Sequence, residues 1–288
     1  MSNLWNETEF IMKKYHIKAN KNLGQNFLID EQVIEKIVNA SDIKKEDCII
    51  EIGPGLGTLT KELLEKAGKV ISVELDKKMI TILKDRFALY NNFELINNDI
   101  LQVDLKNIIT TEKEKGLKNV KVVANLPYYI TTPIIMKLLE EKLDLESITV
   151  MVQKEVADRL IAIPSDKETG AITYSVYYYA KGEEIFEVPK TSFIPEPEVT
   201  SKVIKLNIRK EPAVKVKNPE VMFRIIKCAF MQRRKTLLNA LVNTRVFLNK
   251  EEGIKILKKL NLNENVRAEE LSIQDFANIT KSITTIPS

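Results

Sequence analysis

Asp47-Cys-Ile-Ile-Glu-Ile-Gly53-Pro-Gly55-Leu-Gly57 is an apolar, β-branched run that stops on three glycines, and helical spacing follows over residues 58–66. A strand that ends in a glycine turn and opens a helix is the first half of a βαβ unit. Three further runs repeat the pattern of apolar strand and ligand-capable tip: Lys69-Val-Ile-Ser-Val-Glu74, Phe93-Glu-Leu-Ile-Asn-Asn-Asp99 and Val120-Lys-Val-Val-Ala-Asn125-Leu-Pro-Tyr128. Ligands of open α/β sheets bind outside the carboxyl ends of the strands. Four such tips in succession therefore predict one shared site.

Working outward, the same alternation continues. Helices are expected near 77–88 and 132–142, and Ser147-Ile-Thr-Val-Met-Val-Gln153 reads as a fifth strand. A helix over 30–40 begins behind Asp30 as its cap. Tyr174-Ser-Val-Tyr-Tyr-Tyr-Ala180 and Thr200–Ile208 read as late strands with an antiparallel edge. After the charged, proline-marked stretch Lys210–Pro219 only helical patterns remain, near 219–230, 233–242, 250–260 and 269–282. The expected fold class is α/β: a mainly parallel twisted sheet flanked by helices over residues 1–209, and a small C-terminal all-helical domain over 210–288.

Composition narrows the class of protein. A hydrophobic fraction of 44% over 288 residues supplies a core for one large and one small domain. The two cysteines, Cys48 and Cys228, are far apart and lack metal-ligand spacing, which suits a reduced, cytoplasmic protein. The N-terminus has no apolar signal region and no long uncharged run follows, so neither secretion nor a membrane is expected. No dimer seam stands out, and a monomer is expected. Residues 202–259 carry 16 Lys or Arg against 4 Asp or Glu, a local net of +12 that leaves −8 for the rest of a chain whose total is +4. A basic segment beside an acidic body suggests a face for a polyanion. Within it, Arg233-Arg234-Lys235 ahead of Thr-Leu-Leu is the strongest candidate for phosphate contact.

The first three tips have the chemistry of a nucleoside site. Gly53 and Gly55 permit a tight turn and a close backbone approach to a ligand. The third glycine, Gly57, comes one position too early for the dinucleotide fingerprint. Glu74 lies seventeen residues after Gly57 at the next strand end, where an acid accepts from ribose hydroxyls. Asp99 has two readings, an acceptor for an adenine amino group and a turn or cap aspartate. Lys21-Asn-Leu-Gly24-Gln25-Asn26-Phe27-Leu28, ahead of the first of these helices, is a polar-apolar block that either folds over the ligand or merely leads into the domain.

The fourth tip has the chemistry of amine activation. The lone pair of an adenine N6 amine is delocalised into the ring, and acceptors placed on its two N–H bonds favour a pyramidal, nucleophilic nitrogen. Asn125 offers an amide oxygen. Pro127 biases Leu126 toward an extended conformation that turns the Leu126 carbonyl outward as a second acceptor. Tyr128 offers a stacking face, worth about 1–3 kcal/mol per base. No metal and no catalytic histidine are needed, and the one histidine, His16, lies in a basic N-terminal stretch. The proline-stiffened loop Phe193-Ile-Pro-Glu-Pro-Glu-Val-Thr-Ser201 offers Phe193 as an opposite wall to the base, or as a hydrophobic plug before an edge strand.

Together these motifs resemble the KsgA/RsmA family of ribosomal RNA adenine dimethyltransferases over nearly the whole chain. Gly24–Leu28 is similar to the family's N-terminal motif, Glu51–Gly57 to its cofactor loop, Asn125–Tyr128 to its catalytic motif and Phe193–Ser201 to its target loop. Phe230–Leu237 is similar to the start of its small helical domain. The resemblance implies a Rossmann-like class I methyltransferase body that uses S-adenosylmethionine, with residues 1–29 covering the cofactor and residues 210–288 docking RNA. It implies two methylations on N6 of each of two adjacent adenosines near the 3′ end of 16S rRNA in the 30S subunit. Its cofactor contacts carry over to Asn26, Leu28, Gly53, Glu74, Asp99 and Asn125. Tyr129 and Asn98 depart from the residues frequent in relatives. The competing readings are an Erm-type large-subunit rRNA methyltransferase, which shares the fold and tetrapeptide, and a non-catalytic rRNA-binding assembly factor.

Overall fold

The structure is a computed structural model that describes residues 3–19, 24–166, 168–232 and 234–283. Helix α1 (Asn3–Lys14), the short strand β1 (Phe27–Leu28) and helix α2 (Glu31–Ala40) precede an alternation of strand and helix. That alternation runs β2 (Asp47–Ile52), α3 (Thr58–Lys66), β3 (Lys69–Glu74), α4 (Lys77–Arg86), β4 (Phe93–Asn97), α5 (Leu105–Glu114), β5 (Asn119–Asn125), α6 (Thr131–Glu140) and β6 (Ser147–Gln153). Next come α7 (Lys154–Ile161), α8 (Ala171–Tyr179), β7 (Ala180–Val188), β8 (Phe193–Ile194) and β9 (Ser201–Ile208). Helices α9 (Pro219–Phe230), α10 (Leu237–Asn243), α11 (Lys250–Lys259) and α12 (Ile273–Ser282) follow.

The chain forms two compact units, one within residues 1–157 and 183–208, the other within 158–182 and 209–288. The second unit therefore includes 158–182, a segment that a division at 209/210 leaves with the first.

In the first unit, β2 through β6 pair in parallel in the order β4-β3-β2-β5-β6. Every residue of β2 is buried, as expected of a strand covered on both faces. β9 joins β6 antiparallel, from Ser147↔Asn207 to Gln153↔Ser201, and β7 lies beyond β9 at the edge. Strand order reverses between β2 and β5, and a crevice opens at the carboxyl ends of strands where this happens. The tips of those two strands are Gly53 and Asn125, so the topology itself brings the glycine loop and the amide together. A separate two-stranded ladder pairs β1 with β8, Phe27 opposite Ile194 and Leu28 opposite Phe193.

Local chemistry sets the helix starts. Asp30 caps α2 by accepting from Gln32 N and Val33 N, and its other oxygen accepts from Ser192 Oγ at 2.9 Å. Val33, Ile34, Ile37 and Val38 then face the core. Helices α1, α5 and α7 were not anticipated from the sequence pattern.

The run Tyr174–Ala180 corrects the strand expectation: residues 171–179 form helix α8 and the strand begins only at Ala180. Aromatic and β-branched residues favour strands, but packing within the second unit overrides the preference. Tyr174 and Tyr178 fall one helical turn apart on a buried face. Tyr174 packs against Phe276 with ring centroids 5.0 Å apart, and its hydroxyl donates to the carbonyls of Ala268 and Leu271. A strand would keep both on one face but set them about 13 Å apart instead of about 6 Å, too far to pack as one cluster.

Gly57 shows how tightly the loop after β2 is fitted. Its φ is +81°, and a Cβ there would lie 2.6 Å from Phe87 Cε2 and 2.9 Å from Leu83 Cδ2, both on buried residues. The left-handed backbone and the overpacking each carry a cost, so Gly57→Ala should lower stability by about 2 kcal/mol or more. Urea denaturation reads this as a lower midpoint at unchanged slope, and an unchanged midpoint contradicts the packing described.

Candidate active site

The loop that leaves β2 turns on glycines with φ of +66° at Gly53 and +58° at Gly55. Gly53 N donates to Val73 O at 2.9 Å, which ties the loop to the end of β3. Glu74, the last residue of β3, is held by two backbone amides: Gly55 N on Oε2 at 3.2 Å and Asp76 N on Oε1 at 2.8 Å. Asp99 Oδ1 accepts from Leu101 N at 2.9 Å, so the residue caps a turn, and it also lines the cleft.

The N-terminal segment lies on this loop. The Phe27 ring sits against Gly55, where an added methyl group would meet it at 3.5 Å. Gln25 Nε2 donates to Asp76 Oδ2 at 3.0 Å, joining the segment to the turn that carries Glu74. Residues 21–23 of the polar-apolar block lie outside the described residues.

Across the switch point, Asn125 Nδ2 donates to the Asn26 carbonyl at 3.4 Å. A primary amide whose nitrogen is so engaged presents its oxygen elsewhere. Leu126 N donates to Met151 O at 3.1 Å, while its own carbonyl takes part in no hydrogen bond among the described residues. The next carbonyl, that of Pro127, accepts from Ile130 N and from Thr131 Oγ1 at 3.0 Å. Pro127 has φ −59° and ψ 131°. The tetrapeptide therefore has two acceptors not used by the fold, Asn125 Oδ1 and Leu126 O. The Tyr128 hydroxyl is 2.6 Å from Ser201 Oγ, and partial burial pushes its phenol pKa up.

One open cleft gathers these groups. Asn26, Leu28, Gly53, Gly55, Glu74, Asp99, Asn125, Leu126, Pro127 and Tyr128 all line it. Phe193 does not. It is 2% exposed within the core that includes Phe27, Leu28, Val188 and Val203, so the structure makes it the plug and corrects its expected place as a wall against the base. Its pairing opposite Leu28 holds it there. In the second unit Arg234 and Lys235 are exposed in the turn before α10, which starts at Leu237 rather than 233, and Arg233 lies outside the described residues.

One residue of the cofactor-loop motif, given no role of its own from the sequence, also faces the cleft: Glu51, inside the buried β2. Its Oε2 accepts from Thr60 Oγ1 and Ser72 Oγ, each at 2.7 Å, and its Oε1 is buried with no partner among the described residues. Burial raises its pKa to about 7 against those two hydrogen bonds, and Glu74 nearby adds to the rise. Burial raises Glu74 as well, opposed by the amides of Asp76 and Gly55. An acid set between isoleucines in a buried strand was the signal available in the sequence. Two carboxylates beneath a glycine turn make a cleft suited to a cationic ligand with a nucleoside portion.

Comparison with known proteins gives the family. The profile described as "Ribosomal RNA adenine dimethylase" matches residues 16–285. The chain belongs to the ribosomal RNA adenine dimethylase family. It is 49% identical over 277 residues, 96% of each chain, to "Ribosomal RNA small subunit methyltransferase A" of Alkaliphilus metalliredigens. Among solved structures it is similar to a dimethyladenosine transferase from Plasmodium falciparum, with TM-score 0.72, 27% identity and coverage of 88% and 95% of the two chains. The 23S rRNA methyltransferase ErmE shares the fold, with TM-score 0.65, 21% identity and coverage of 90% and 100%. The Rossmann-like body and the helical C-terminal region are thus those of a family member, and the tetrapeptide at the end of β5 sits at its cleft.

The buried acid generates a pH dependence. Unfolded, Glu51 loses its proton near 4.5; folded, it keeps it until about 7. The folded state therefore holds the extra proton between those values, and stability of the ligand-free protein falls as pH rises through that window, then levels off above it. Glu51→Gln, which cannot ionise, should reduce that fall in urea titrations at pH 5 and pH 7.5. An identical fall in the variant contradicts the assignment.

Proposed function

We propose that the chain transfers methyl groups from S-adenosylmethionine to N6 of two adjacent adenosines near the 3′ end of 16S rRNA, within the small ribosomal subunit, as a step in ribosome biogenesis in the cytoplasm. The observation that carries this reading is the pair of unengaged acceptors, Asn125 Oδ1 and Leu126 O, beside a glycine-turned, carboxylate-floored cleft. The cofactor is a sulfonium with an ammonium group and a nucleoside. Its cation fits a floor of raised-pKa carboxylates that includes the orphaned Glu51 Oε1. Glu74 and Asp99 are the acceptors for its ribose hydroxyls and adenine amino group, and Gly53, Gly55, Asn26 and Leu28 form the surface around it. When bound, it supplies an electrophilic methyl carbon.

The residues of the chain do the rest by position. Asn125 and Leu126 accept the two N–H bonds of the target amine, draw its lone pair out of conjugation and aim it. Holding the nitrogen about 3–3.5 Å from the methyl carbon is the main source of acceleration. No charged base is required, because the alkylated amine is acidic enough to release its proton once the bond forms. After the first transfer one N–H remains, and one acceptor suffices to orient it. Tyr128 stacks on the purine. Arg233, Arg234 and Lys235 belong to the basic segment that docks the RNA through residues 210–288.

A substrate in the small subunit, rather than the Erm-type substrate, is supported by the similarity to small-subunit relatives over 96% of the chain. The expected outcome is that tritiated methyl groups label unmethylated small subunits and not large-subunit RNA. Asn125→Ala should slow that labelling about 100-fold or more, as loss of one preorganised hydrogen-bonding group does, while RNA binding stays near wild type. Labelling of large-subunit RNA reverses the substrate. Wild-type turnover in Asn125→Ala rejects the amide's catalytic role, whereas a wild-type chain that binds RNA and labels neither subunit returns it to the reading of a binding factor.

A further inference from the structure

The loop from Phe193 to Ser201 is anchored at both ends on the active site's own parts. At one end Phe193 pairs opposite Leu28 in the segment that lines the cleft. At the other, Ser201 opens β9, fully buried and opposite Gln153 at the end of β6. Its Oγ is 2.6 Å from the Tyr128 hydroxyl, and it is the hydroxyl's sole hydrogen-bond partner among the described residues. Tyr128 is half-buried and lines the cleft in the short turn that follows Asn125-Leu126-Pro127. A phenol ring has two torsions of its own, and holding its far end fixes both. The structure thereby offers a role for this loop that does not need Phe193 to touch the base.

We propose that Ser201 is a positioning residue for methyl transfer: by holding the Tyr128 hydroxyl it sets the plane of the ring on which the target base stacks, before that base arrives. The proposal rests on the function assigned above. A ring free to rotate still binds a base, but it no longer delivers the amine to the acceptors at one angle, and small misplacements are costly in rate.

A double-mutant cycle separates positioning from mere support of the fold. Ser201→Ala and Tyr128→Phe each break the bond and should each lower kcat/KM for unmethylated small subunits about tenfold, between the loss of a hydrogen bond and a 1 Å misplacement. Ser201→Thr, which keeps a hydroxyl, should retain most of the rate. Removing one partner leaves a buried polar group unpaired, whereas removing both is nearly neutral for stability. The double variant should therefore regain most of the thermal midpoint lost in Ser201→Ala, yet remain as slow as either single variant. Cofactor affinity, measured by calorimetry with S-adenosylhomocysteine, should stay within about twofold throughout. Recovery of rate together with stability overturns the proposal, because Ser201 is then only structural. Rate losses that multiply in the double variant, or a Ser201→Ala enzyme with wild-type kcat/KM, also overturn it. A wild-type chain that methylates no small subunit is a different failure: it removes the function on which the proposal stands.

Discussion

One long hydrogen bond, from Asn125 Nδ2 to the Asn26 carbonyl, decides what the corner at the end of β5 presents to the cleft. An amide is ambivalent, since one end donates and the other accepts. Were the Asn125 group turned over, it would offer N–H where the proposed methyl transfer needs an acceptor for the amine. The partner that prevents this belongs to the segment laid over the glycine loop by Phe27 and Gln25. The segment laid over the glycine loop thus also orients the Asn125 amide, and under the proposed function it couples the cofactor side of the cleft to the substrate side. Leu126 follows the same logic by different means. Pro127 fixes the backbone, the Pro127 carbonyl is taken by the turn, and the Leu126 carbonyl is the one left over.

The cleft's electrostatics follow from burial rather than from a cluster of formal charge. Glu51 and Glu74 lie under the turn, both with raised proton affinity, and among the described residues neither has a lysine or arginine as a hydrogen-bond partner. Polar hydroxyls and backbone amides satisfy three of their four oxygens' needs, and Glu51 Oε1 stays unmatched. An unmatched buried acceptor is costly in an empty pocket and favourable beside a cation. The strand-order reversal between β2 and β5 supplies the crevice, the glycines let a ligand approach, and the acids give that approach a preferred sign.

Much of this was legible in the sequence because each clue was local. Strands β2 to β6 were read from apolar runs, and ten of the eleven cleft residues discussed above were singled out for binding or catalysis on the same strand tips or on the motif ahead of them; Glu51, quoted only as the start of the cofactor loop, had no role of its own until its tertiary surroundings were seen. Its environment is set by Thr60 and Ser72, which are distant in the chain. Helix α8 was hidden for a related reason. Its tyrosines carry strand propensity, and the carbonyls that receive the Tyr174 hydroxyl lie 94 and 97 residues further on. Phe193 had two readings of equal weight until its pairing opposite Leu28 placed it in the core. The limits of α10 moved because Thr236, not the arginine-rich turn before it, supplies the capping oxygen.

The most direct test of the account is a crystal structure of the chain with S-adenosylhomocysteine and an oligonucleotide carrying the target adenosines. The adenine N6 should lie within about 3.2 Å of both Asn125 Oδ1 and the Leu126 carbonyl, with Asn125 Nδ2 still on the Asn26 carbonyl. An N6 held by other groups, or an Asn125 amide turned so that its nitrogen faces the base, would contradict it.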